Sequence, residues 1–199
     1  MTKEKLKDRI DFSFFCAQDS FLQNGGFIPM LDISFKKEEE TESTRIVVAL
    51  AGEAVDNRLK VVYSLGAVLG NYKNQKKVKE IENILMINEA WASMHKKEED
   101  LNNVLKPSQN PNRIEILVCT GLTPNGICLM KGKQIKRILI EQKPRIDLVD
   151  MEGSEDYTEV QSNLLQKFYD GYNGVVNKGL IFKDEDMPMG DTLKKIFKN

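Results

Sequence analysis

Along the first part of the chain the apolar positions Leu6, Ile10, Phe14, Ala17, Phe21 and Leu22 recur at spacings of three and four. That period gathers side chains on one stripe of an α-helix, so a helix is expected over Lys3 to Leu22. Asn24-Gly25-Gly26 stops it, because consecutive glycines supply the left-handed residue that ends helices. From Phe27 to Lys37 the period changes to two: Leu31, Ile33 and Phe35 alternate with Asp32, Ser34 and Lys36. This predicts a strand with one face in the core and a polar face in water. Lys36 to Glu42 is a charged turn with four glutamates. Arg45 to Ala51, apolar and rich in Val and Ile, then predicts a hairpin partner covered on both faces.

Gly52 ends that strand, and Asp56 or Asn57 can cap a second helix through Leu59, Val62, Tyr63, Gly66 and Leu69. A glycine inside a helix costs about 1 kcal/mol relative to alanine. Gly66 is therefore expected where the backbone approaches another element closely, and Gly70 at the helix end. After a basic connection, Asn71 to Lys79, the stretch Glu80 to Met94 is strand-like, with Ile84 and Met86 alternating with Leu85 and Ile87. A strand apolar on both faces belongs in the middle of a sheet. His95 to Asn112 is a polar loop bearing Pro107 and Pro111.

Arg113 to Gly121 and Ile127 to Lys133 form the clearest hairpin, since Thr123-Pro124-Asn125-Gly126 suits a type I turn followed by a left-handed glycine. Gln134 to Ile140 either prolongs the strand or follows a bulge at Gly132, and Pro144 closes it. Ile146 to Glu152 carries no decisive pattern. A last helix is expected over Asp156 to Val176, through Val160, Leu164, Leu165, Phe168, Tyr169 and Tyr172. The tail holds two apolar clusters, Leu180-Ile181-Phe182 and Leu193-Ile196-Phe197.

The fold class expected from this order (αββαβββα) is α+β: a mainly antiparallel sheet of about five strands, the first two helices on one face, and a C-terminal helix. Residues 1–150 make a single domain, and residues 151–199 add a helix and tail packed on it or on a partner.

Composition narrows the function classes. At 41% hydrophobic and 30% charged residues, the chain of 199 residues lies in the range of folded globular proteins. With 29 basic and 30 acidic side chains there is no net field to recruit nucleic acid or anionic lipid, so either would need a local patch. No apolar run approaches the roughly 20 residues that cross a bilayer, and the charged N-terminus lacks a secretory pattern. A cytoplasmic location and no membrane partner are expected. Cys16, Cys119 and Cys128 are odd in number, lack metal-type spacing and suit small buried hydrophobes with free thiols.

Chemistry is sparse. His95 is the one histidine and has no metal-ligand spacing around it; nucleotide loops and nucleophile elbows are absent, and no cofactor is expected. Glu89 and Glu115 fall on neighbouring strands, where two carboxylates can bind a metal or share acid–base duties. With Arg113 they can equally form a cross-strand ion-pair ladder. Trp91 shares the strand face of Glu89 and is either packed or a contact for a partner protein, as the clusters containing Leu180, Phe182, Ile196 and Phe197 can be. Lys131, Lys133, Lys136 and Arg137, with Lys143 and Arg145 beyond, make a basic segment able to follow a phosphate backbone, although no aromatics interleave with it.

Asn88-Glu89-Ala90-Trp91, the proline loop and Asn112-Arg113-Ile114-Glu115-Ile116-Leu117-Val118 together resemble a pattern in small uncharacterised proteins of phages and mobile elements. The resemblance spans about 55 residues and implies a strand–loop–strand–strand arrangement closing near Arg137, without an activity to transfer. Three functions are therefore carried forward. The first is a non-enzymatic accessory protein that binds another protein or itself. The second is nucleic-acid binding through residues 131–145, and the third is a metal-dependent hydrolase using Glu89 and Glu115.

Overall fold

The computed structural model describes residues 1–50, 55–92, 109–140, 143–151, 156–183 and 186. The elements in chain order are α1 (Lys3–Asn24), β1 (Met30–Lys37), β2 (Ser43–Ala49), α2 (Val55–Asn74), β3 (Val78–Ala92), β4 (Ile114–Leu122), β5 (Cys128–Ile140), β6 (Lys143–Val149), β7 (Thr158–Glu159) and α3 (Asn163–Val176). The strands form one sheet in the order β2-β1-β3-β4-β5-β6, with β7 paired to β5 and every pairing antiparallel. This is the expected α+β class with a larger sheet.

Local rules set most boundaries. Thr2 caps α1 by accepting from the backbone N–H of Lys5, and Gly25, at φ 74°, ends it by donating to the carbonyl of Phe21. The β4–β5 turn closes as expected, with Gly126 at φ 87° and its N–H on the carbonyl of Thr123. The helix α2 begins at Val55, so Asp56 and Asn57 lie in its first turn instead of capping it, and Gly52 lies outside the described residues.

The central strand β3 explains the layering. Its Ile84 and Met86 face a core with α2 and α3, whereas Leu85 and Ile87 face a separate core with α1. Two helices do share one face, but they are α2 and α3. The first two helices cover opposite faces, because a strand apolar on both sides needs cover on both.

Close approach of α2 to α3 depends on missing side chains. A β-carbon on Gly66 would collide with the carbonyl oxygen of Phe168, and one on Gly171 with that of Tyr63. Gly70 belongs to the same contact and does not end the helix: its β-carbon would stand 2.7 Å from the carbonyl oxygen of Tyr172.

Other expectations are corrected. The polar face of β1 is not in water; Asp32 and Ser34 are buried beneath α1. The strand β2 is half exposed and forms the sheet edge, so its Val and Ile content reflects strand preference more than burial. β5 runs unbroken to Ile140, and Pro144 lies inside β6. An edge strand tolerates proline because the absent N–H is not needed for pairing. The last helix starts only at Asn163, capped by Ser162, and part of the expected first turn is β7. Cys119 and Cys128 are buried, Cys16 is exposed, and all three are free. No described helix is long and apolar enough to cross a membrane.

Candidate functional site

Alternation along the strands carries Glu89, Glu115 and Arg137 to one place. Ile87 of β3, Leu117 of β4 and Ile135 of β5 line the α1 core, so residues two positions further out share that face. They emerge past the end of α1, beside the Gly25–Phe27 turn. Arg137 donates from Nε and one terminal nitrogen to the two oxygens of Glu115, both at 3.0 Å, and from its other terminal nitrogen to the carbonyl of Gly25 at 3.1 Å. Its guanidinium also stands 3.6 Å from Glu89, whose other oxygen accepts the backbone N–H of Phe27. One arginine thus ties two strands to the turn that ends α1.

The two carboxyls respond in opposite directions. Desolvation, reinforced by the Glu115 charge, raises the Glu89 pKa above the ordinary carboxylate value, against the opposing pull of the Phe27 N–H and Arg137. The Arg137 hydrogen bonds hold Glu115 below it. An ion-pair ladder is therefore present, but the cation spanning it is Arg137. Arg113 lies over the half-exposed indole of Trp91 at 4.5 Å from the ring centroid. Among the described residues no group of three His, Cys, Asp or Glu gathers as metal ligands. His95 lies outside the described residues.

The basic segment is divided between two faces. Lys131, Lys133 and Arg137 share the α1 face, where Lys131 meets Asp11 at 2.7 Å and Lys133 meets Asp150 at 3.4 Å. Lys136 is exposed on the other face, opposite Asp147, which in turn holds Arg145 at 2.9 Å.

The first tail cluster is held by its backbone. Asn71 donates to the carbonyl of Phe182 at 3.1 Å and accepts its N–H at 2.7 Å, while Asn74 donates to the carbonyl of Leu180 at 2.8 Å. The side chains of Leu180, Ile181 and Phe182 stay exposed. Leu193, Ile196 and Phe197 lie outside the described residues.

Two features escaped the sequence reading. A polar network lies under α1: Asp32, 1% exposed, accepts from Arg45 and from Ser13 at 3.0 Å, and Ser34 accepts from Arg9 at 2.8 Å. The signal was Arg9 and Ser13, four apart on the flank of the apolar stripe and facing the polar side of β1. The second is a solvent-facing apolar stripe on α1, in which Phe12, Phe15 and Leu22 are 53%, 71% and 50% exposed; Leu22, expected on the core stripe, turns out of it because it follows Phe21 by only one residue. Their spacings of three and seven repeat the helical period on the side away from the core.

No family model, curated protein or solved structure matches the chain. Its class is set by its own geometry: among the described residues, an antiparallel sheet with one helix on one face and two on the other.

Proposed function

We infer that the chain is a non-enzymatic accessory protein that works by binding another protein. The observation carrying this reading is the exposed Phe12–Phe15–Leu22 stripe on α1. Large apolar side chains repeated on the wet side of an otherwise amphipathic helix suit a contact surface, because a partner that covers them removes apolar area from water; within the chain the Arg45 guanidinium lies over the Phe12 ring alone of the three. The alternatives draw less support. In the basic segment Lys131, Lys133, Arg137 and Arg145 each have an acidic neighbour, and Lys136 points to the other face. Glu115 already has both oxygens on Arg137.

Affinity capture from the native host, washed at high salt, tests the reading by comparing wild type with Phe15→Glu. A stoichiometric protein kept by the wild type and lost by the variant is expected. Identical retained material for both removes the α1 stripe as the contact, and nucleic acid retained only at low salt would favour residues 131–145 instead.

A further inference from the structure

The two ends of the sheet differ in how they meet solvent. At one end β6 contains Pro144 and alternates Arg145 with Asp147, devices that discourage further strand pairing. At the other, β2 reads Ser-Thr-Arg-Ile-Val-Val-Ala, with no proline and no lysine. Its seven pairings to β1 run without a register shift, so no bulge twists the edge away. Its single charge, Arg45, is held on the sheet face by Asp32. No described strand pairs with the outer edge of β2.

We propose that β2 pairs antiparallel with β2 of a second copy of this chain, extending the sheet across a two-fold axis centred on Ile46. The strand is its own complement in this register. Ile46 meets Ile46, Arg45 of each copy faces Val47 of the other, Thr44 faces Val48 and Ser43 faces Ala49, so no like charges oppose. The turn of Glu38, Glu39, Glu40 and Glu42 precedes β2, and antiparallel pairing sets that of one copy beside the Ala49 end of the other, where the sequence balances Glu53 and Asp56 with Arg58 and Lys60. An axis normal to the sheet keeps both α1 helices on one side, where Val47, half exposed in the single chain, is covered by the second copy. This contact is on the sheet edge and meets the outer stripe of α1 where the Arg45 guanidinium lies over the Phe12 ring; Phe15 and Leu22 take no part in the pairing, which stands whether or not another protein docks on them.

Sedimentation equilibrium of the full chain, up to a few hundred micromolar, tests it, with circular dichroism to confirm folding. The wild type should dimerise. Because each Val47 faces the Arg45 of the other copy, and the two-fold axis repeats that pair, Val47→Glu should tighten the dimer and Val47→Lys weaken it, each by about tenfold. If either variant misfolds, Ala49→Lys and Ala49→Glu repeat the test with the signs reversed, since position 49 faces the acidic turn. A wild type that stays monomeric, or a dimer whose affinity ignores or inverts these signs, overturns the proposal. A Phe15→Glu chain that still dimerises but no longer captures another protein separates this contact from the α1 surface.

Discussion

The two faces of the sheet are closed by different physics. On the α2–α3 side the core is apolar, and two helices come together where Gly66, Gly70 and Gly171 leave room for backbone. On the α1 side an apolar stripe is flanked by charge: Asp32 with Arg45 and Arg9 near one end, and Arg137 with Glu115 and Glu89 at the other. A close-packed contact fails when anything is added to it. A charged contact fails when one partner is taken away, because the other is left without compensation.

Substitutions can break this contrast in order of expected effect. Gly66→Ala should be the most damaging, at about 3 kcal/mol, since helix–helix separation must change to admit one carbon. Thermal or urea unfolding would show it, and a smaller loss than for a surface glycine such as Gly179 would contradict the close-contact account. Asp32→Ala should cost about 2 kcal/mol, less than a fully buried pair because Arg45 is partly exposed.

Smaller and more informative is the pair Glu115→Gln and Glu89→Gln, read by urea midpoints across pH. Glu115 has a depressed pKa, so its contribution is present above the unfolded value and lost as pH falls through the folded one. Glu89 has a raised pKa, so its protonated form is favoured by the fold and stability declines as pH rises through that value. At neutral pH, Glu115→Gln should destabilise by up to about 1 kcal/mol, whereas Glu89→Gln should be neutral or slightly stabilising. Equal losses from both would show that the two carboxyls act alike. Smallest of all, Phe15→Ser should move stability by under about 0.5 kcal/mol while removing partner capture.

Much of the framework was legible in the sequence. The period of α1, the doubly apolar β3, the Thr123–Gly126 turn and the close approach at Gly66 each follow from a local rule that tertiary structure did not override. What escaped were assignments that depend on neighbours. The alternation of β1 does not say whether its polar side meets water or polar groups on a helix, and Asp32 meets Arg45 and Ser13. The proline of β6 signalled a stop when the strand was an edge that tolerates it. At the candidate site, the parity of Glu89 and Glu115 was readable, but the choice of Arg137 over Arg113 rests on β5 extending past the end of its pairing with β4.

The glycine notch on α2 also has a history within each molecule. Gly66 and Gly171 are separated by about a hundred residues of chain, so at translation rates of about 5–20 residues per second the notch waits several seconds for its other half. During that interval Leu65, Val68, Leu69 and their neighbours present to chaperones and proteases a surface that the finished protein covers. A ribosome halted before Asn163 would leave it open.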